Sequence, residues 1–159
     1  MSKNITEQSV FGAYSQKENQ VTSALLKILE TDCGGGSLLD EILQRIDEGN
    51  GLPEKTLKIE TQSYIDDTDI HSIPDGLISC NYAFNIYIES KLSDIINLTQ
   101  LGNHKKLIVE DRDERNKLIY ITTHDKRPEI LPQQIIWTNW TTLTNILNDY
   151  QQDVPNPVL

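Results

Sequence analysis

The chain has 159 residues, of which 37% are hydrophobic and 24% are charged, and this is typical of one compact domain with a single core. No apolar run approaches the roughly 18 residues that span a bilayer, and the polar start lacks the apolar segment of a signal peptide, so we expect a cytoplasmic protein without membrane contact. The formal net charge of -10 disfavours a general polyanion binder, because such proteins usually carry a basic surface.

Two helices are predicted at the start of the chain. Ser15 begins a capping box with Glu18, and apolar residues then recur at helical spacing until the glycine run that ends at Gly36. Ser37 caps a second helix, which the turn from Gly49 to Gly51 ends.

Three strands follow in a meander. Residues 56–65, 70–79 and 84–92 have strand-like composition, with a turn at 66–69 and a hairpin connection at 80–82. Successive side chains of a strand point to opposite faces of the sheet. In the third strand, one face therefore carries Phe84, Ile86 and Ile88, and the other carries Tyr87, Glu89 and Lys91.

The second half of the chain is predicted to contain a helix, two strands and a final helix. We predict a helix from Ser93 to about Val109, strands at 117–123 and 134–137, and a closing amphipathic helix at 140–150. Residues 1–150 then form a single α/β domain, with a central mixed sheet flanked by helices, and residues 151–159 form a tail.

The residues that carry chemistry are Asp75, Glu89 and Lys91. Glu89 and Lys91 share one strand face about 7 Å apart, and the hairpin brings Asp75 beside them. Two carboxylates form a hard oxygen site suited to Mg²⁺, and a neighbouring ammonium can orient water and neutralise a phosphoryl oxygen. Together they predict metal-dependent hydrolysis of a phosphodiester. The structural alternative is a turn aspartate beside a surface ion pair of little energetic weight.

The pattern Pro74-Asp75 followed by Glu89-Ser90-Lys91 resembles that of the PD-(D/E)XK nuclease superfamily, which has the restriction-endonuclease-like fold. The resemblance extends to the helix that begins at Glu18, to the helix that contains Gln100, and to the strand and helix of residues 135–147. It covers nearly the whole chain, and it implies an α-β-β-β-α-β core that agrees with the predicted order.

The resemblance also implies roles for individual residues. Asp75 and Glu89 are the expected ligands of Mg²⁺ or Mn²⁺, with the main-chain carbonyl of Ser90 as a further ligand. Lys91 is the expected catalytic residue that positions water and stabilises the transition state. Glu18 resembles the acidic residue that the family often places on the first helix to complete the metal site, although a glutamate in a capping box also has a purely structural explanation.

Gln100 and His104 resemble the Gln-xxx-Tyr pair of exonuclease-like members, with a histidine in place of the tyrosine. Residues four apart share a helix face, so both can reach a phosphate near the metal, with Lys105 adjacent. These three are the expected substrate-binding residues. Solvated helix residues are the alternative interpretation.

A Mg²⁺-dependent nuclease acting on DNA rather than RNA is the function that we expect. The alternative is a catalytically silent nuclease-like module that binds nucleic acid or protein. Seven of the fourteen Lys and Arg residues fall between Lys105 and Arg127, which leaves most of the chain acidic. A homodimer or a basic partner protein would supply the missing basic groove.

Overall fold

The computed structural model describes residues 18, 20–30, 37–49, 51, 59–63, 74–80, 84–92, 96–109 and 116–153. Several predicted features lie outside these residues: the Ser15 cap, the glycine run at 33–36, the turn at 66–69, the connection at 81–82 and the end of the tail from residue 154. None of the helices that the structure describes has the length and apolar character needed to cross a membrane.

Two helices form the first part of the described chain. Glu18 is helical, α1 comprises residues 20–30, and α2 is Ser37–Ile46. The predicted stop after α2 is confirmed, because Gly49 has a φ of 85° and donates its N–H to the carbonyl oxygen of Gln44 at 2.9 Å. A positive φ at the end of a helix favours glycine, since glycine has no Cβ to clash with the backbone.

Five strands form one mixed sheet, and their order across the sheet is the same as their order along the chain. Its strands are β1 (Ile59–Ser63), β2 (Gly76–Cys80), β3 (Phe84–Ser90), β4 (Lys117–Thr122) and β5 (Ile136–Asn139). The first three strands are antiparallel, whereas β4 is parallel to β3 and β5 is parallel to β4. A parallel pair needs a crossover connection, and a helix supplies it between β3 and β4. The predicted mixed α/β class is confirmed.

The crossover helix α3 (Leu98–Val109) begins later than predicted. Ser93 was the expected first residue, but Ile96 and Asn97 are not helical. The side chain of Asn97 accepts the N–H of Gln100 at 3.0 Å, so asparagine and not serine caps this helix. The last helix, α4 (Trp140–Asp153), continues beyond the predicted end at 150.

Helices cover both faces of the sheet. On the first face, α1, α2 and α4 pack against β3 and β4 in a core that includes Leu26, Leu43, Ile86, Ile88 and Ile146. On the second face, α3 and the segment before β5 form a smaller core of Leu101, Leu118, Tyr120, Leu131 and Ile135. The predicted alternation along β3 is confirmed, because Ile86 and Ile88 lie on the first face and Tyr87 packs on the second. Glu89 therefore lies on the face that α3 covers.

Candidate active site at the end of β3

The structure brings Asp75, Glu89 and Lys91 together. Asp75 comes directly before β2, and Lys91 comes directly after β3. The backbone N–H of Asp75 donates to Oε2 of Glu89 at 3.2 Å. The Nζ atom of Lys91 lies 3.0 Å from Oε1 of the same carboxylate. Glu89 is thus the central residue of the cluster.

The surroundings of the Asp75 and Glu89 carboxyl groups disfavour the deprotonated form of each. The Glu89 side chain has no exposed surface, and its burial together with the charge of Asp75 raises its pKa to about 8, although Lys91 opposes the shift. Burial also raises the pKa of Asp75, against the effect of the Ser90 N–H. Burial lowers the pKa of Lys91, but the charge and hydrogen bond of Glu89 together with the charges of Asp75 and Glu18 outweigh that effect, and the net shift is upward.

Ser90 connects the cluster to α1. Its backbone N–H donates to Oδ2 of Asp75 at 2.9 Å, and its hydroxyl lies 3.3 Å from the same oxygen. The Ser90 hydroxyl also lies 2.5 Å from the hydroxyl of Thr22 on α1. A Cβ at Gly76 would lie 2.9 Å from Cδ1 of Leu26, so α1 approaches the strand closely beside Asp75. The contacts with α1 hold the aspartate in place.

Glu18 reaches the site from α1. Its Oε1 atom accepts the backbone N–H of Leu92 at 2.7 Å, and its negative charge raises the pKa of Lys91 after the larger effects of burial and Glu89. Thr22 follows four residues later on the same helix face, so both residues point toward the end of β3. The proximity of Glu18 to the site agrees with the sequence expectation, whereas its role as a metal ligand stays a prediction.

The substitution Glu18→Gln separates the two roles of this residue. Glutamine keeps an oxygen acceptor for the Leu92 N–H but removes the charge, so we expect Mg²⁺ affinity to fall much less than in Asp75→Asn. Glu18→Ala loses the hydrogen bond as well, and we expect it to lower the free energy of unfolding by about 1 to 2 kcal/mol. Calorimetric Mg²⁺ titration and urea denaturation measure the two effects. Equal losses of Mg²⁺ affinity in Glu18→Gln and Asp75→Asn would show that Glu18 is a ligand.

The three residues expected to bind substrate occupy different environments on α3. His104 is completely buried, and its Nδ1 atom lies 3.7 Å from Oε2 of Glu89. Gln100 lies one turn earlier and is half-buried, as is Lys105. His104 therefore lies behind Glu89 in the interior, whereas contact of Gln100 and Lys105 with a substrate stays a prediction.

Tyr120 was missed as a site residue by sequence reasoning. It lies directly opposite Glu89 in the parallel register of β3 and β4, on the face that α3 covers, and it has no exposed surface. Burial raises the pKa of its hydroxyl, and the charges of Glu89, Glu18 and Asp75 raise it further. The sequence predicted only a buried strand here, because the pairing of β4 with β3 is a long-range feature.

The donor set suits a cation that needs few protein ligands. Within the described ranges, no three His, Cys, Asp or Glu residues are grouped so that they could hold a metal ion together. Mg²⁺ commonly uses one or two carboxylates and keeps several waters, so Asp75 and Glu89 are sufficient for it. A closed site of three or four side chains, as structural zinc requires, does not fit this pair.

A separate cavity of about 760 Å³ lies at the beginning of β4 and along β5. Its lining includes Arg45, Lys117, Arg127 and Trp137. All three of these cations already have partners: Arg45 pairs with Glu41 at 2.8 Å and with Asp149 at 2.9 Å, Lys117 pairs with Asp47 at 3.0 Å, and Arg127 donates to two backbone carbonyls. None of the residues predicted for the active site lines this cavity.

Comparisons with protein-family models, with curated proteins and with solved structures found no match for this chain. Function is therefore inferred from the geometry and chemistry of the residues at the end of β3.

Proposed function

We propose that this chain is a cytoplasmic Mg²⁺-dependent nuclease of the restriction-endonuclease-like type, which hydrolyses phosphodiester bonds in DNA rather than RNA. One observation carries the proposal: the buried Glu89 carboxylate accepts the backbone N–H of the half-buried Asp75 and pairs with the ammonium of Lys91 at the end of β3. Acidic oxygens for a metal and a fixed cation for a phosphoryl group are the parts that this reaction needs.

The topology supports the same class of protein. A helix, three antiparallel strands, a crossover helix and a parallel strand follow one another in the order α-β-β-β-α-β. The acidic residue before β2 and the Glu-x-Lys pair at the end of β3 occupy neighbouring strands of this core. Fold-level likeness raises the expectation of this activity, but the site residues have to perform it.

The charge of the site favours a divalent cation. When both are deprotonated, Asp75 and Glu89 repel each other, and the ammonium of Lys91 leaves an excess of negative charge, to which Glu18 adds. A divalent cation between the carboxylates would remove this repulsion, and carboxylate oxygens are ligands that Mg²⁺ prefers. The carbonyl of Ser90 is the further ligand that we propose.

In this site, Mg²⁺ would stabilise negative charge on the phosphoryl group and make water a better nucleophile. Lys91 is 18% exposed, so its ammonium can contact both solvent and substrate. We assign it to hold the attacking water and to neutralise the charge that develops on a phosphoryl oxygen. Its raised pKa keeps it protonated for this task.

The neighbouring residues orient these groups. Ser90 donates two hydrogen bonds to one oxygen of Asp75, and His104 lies behind Glu89 on α3. Gln100 and Lys105 on the same helix are the residues that we assign to the phosphates next to the scissile bond. Because the net charge is -10, a second copy of the chain or a basic partner protein would supply the rest of the DNA-binding surface.

The test is cleavage of DNA by the purified full chain. We expect plasmid and linear DNA to be cut with Mg²⁺ or Mn²⁺ and to remain intact with a chelator, while RNA is cut more slowly. Calorimetry with Mg²⁺ alone separates the alternatives. Metal uptake without hydrolysis of any substrate would indicate a silent nuclease-like module, and absence of metal uptake would overturn the proposal.

A further inference from the structure

Tyr120 and Glu89 lie side by side on adjacent parallel strands. The register pairs the two residues directly, so their side chains leave the same face of the sheet about 4.8 Å apart. Both side chains are fully buried beneath α3. A hydroxyl donor and a carboxylate acceptor are therefore enclosed together in the interior.

The Tyr120 hydroxyl is a buried polar atom whose hydrogen bond is missing. Among the described residues it has no hydrogen-bond partner. Oε1 of Glu89 has the ammonium of Lys91 at 3.0 Å, and a carboxylate oxygen has a second lone pair that can accept a further donor. Buried polar atoms are hydrogen-bonded in the large majority of cases, and an unsatisfied one costs about 1 to 3 kcal/mol.

The two atoms are chemically complementary. The hydroxyl of Tyr120 keeps its proton, because burial and the nearby carboxylates raise its pKa. It is therefore a donor at neutral pH, and Oε1 of Glu89 is an acceptor in the deprotonated form that binds a metal. A buried water needs two to four polar partners, and the Tyr120 hydroxyl, the Glu89 carboxylate on the neighbouring strand and the Lys91 ammonium beside that carboxylate are the groups that would provide them.

We propose that Tyr120 is a positioning residue of the metal site, acting through one bridging water. The hydroxyl donates to the water oxygen, and the water donates to Oε1 of Glu89, so that the carboxylate is held in the orientation that binds Mg²⁺. This inference rests on the proposed function. Partners that orient a metal ligand in this way typically contribute a factor of 10 to 100 in metal affinity.

The test is the Mg²⁺ affinity of Tyr120→Phe, measured by calorimetry on the full chain without DNA. Phenylalanine fills the same space and removes only the hydroxyl. We expect an affinity loss of about 10-fold or more. Tyr87→Phe is the matched control, since Tyr87 lies on the same face of β3 and packs in the same core but is paired with Leu77 and Leu118 instead of Glu89, and it should bind Mg²⁺ as the wild type does.

The dependence of the cleavage rate on Mg²⁺ concentration distinguishes a positioning role of Tyr120 from a purely structural one. If Tyr120 orients Glu89, the cleavage rate of Tyr120→Phe should recover toward the wild-type kcat as Mg²⁺ is raised to saturation. An affinity within about twofold of the wild type would overturn the assignment of Tyr120 and leave the nuclease proposal intact. Absence of Mg²⁺ binding in the wild type would overturn both.

A crystal structure of the wild type provides the second measurement, which does not depend on the variant folding. We expect a water within about 3.2 Å of both the Tyr120 hydroxyl and Oε1 of Glu89. A well-ordered site without this water would contradict the inference.

Discussion

Replacement of Lys91 by methionine is expected to lower the rate of DNA cleavage by at least about 10²-fold to 10³-fold, the usual effect of removing one group that stabilises transition-state charge. Methionine keeps most of the side-chain length and removes the ammonium that lies 3.0 Å from Glu89. The buried carboxyl can take up a proton instead, so the fold should persist. Asp75→Asn removes a proposed metal ligand and should abolish cleavage altogether.

Lys117→Met is the matched control for this experiment. Lys117 also pairs with a carboxylate at 3.0 Å and is 22% exposed, against 18% for Lys91, but its partner is Asp47 and it lies at the other end of its strand. Steady-state cleavage rates are measured for the wild type, Lys91→Met and Lys117→Met. We expect the rate of Lys117→Met to be close to that of the wild type. Equal rates in Lys91→Met and the wild type would show that Lys91 has no part in the reaction.

The stability of the metal-free protein is expected to fall as the pH rises from about 4.5 to about 8. These limits are the ordinary pKa of a glutamate and the raised pKa of Glu89 in the folded chain. Between them, the folded state keeps a proton that the unfolded state releases, so deprotonation favours unfolding. The raised pKa of Asp75 acts in the same direction. The loss should be on the order of a few kcal/mol.

Glu89→Gln tests this effect and its link to the metal. Glutamine does not titrate, so the variant should lose less stability across this interval and should be more stable than the wild type above pH 8. Added Mg²⁺ should stabilise the wild type most at high pH, where the metal does not compete with protons, and should not stabilise the variant. Urea denaturation at pH 5, 7 and 9, with and without Mg²⁺, measures both.

The control for the pH experiment is Glu41→Gln. Glu41 is a glutamate on the exposed side of α2, where it pairs with Arg45 at 2.8 Å. We expect this variant to keep the pH dependence of the wild type. The interpretation would be wrong if Glu89→Gln also kept it.

Local patterns were good predictors where one residue decides the backbone. Gly49 follows the end of α2 as predicted, because glycine adopts a positive φ without steric cost, although Glu48 before it also has a positive φ of 49°. The predicted start of α3 was wrong because Ser93 and Asn97 are both good capping residues, and the local pattern does not choose between them. In the folded chain, Asn97 caps the helix. The same ambiguity does not arise in β3, whose alternation of side chains is a geometric necessity.

The amino-acid sequence alone determined the element order, the two faces of β3 and the grouping of Asp75, Glu89 and Lys91, since each depends on spacing along a short segment. Tertiary structure decided the burial of His104, the contact of Glu18 with Leu92 and the pairing of Tyr120 with Glu89. These features join segments that are distant in the chain. These contacts depend on how the helices pack on the sheet and on the parallel register of β4, and no local sequence pattern predicts either.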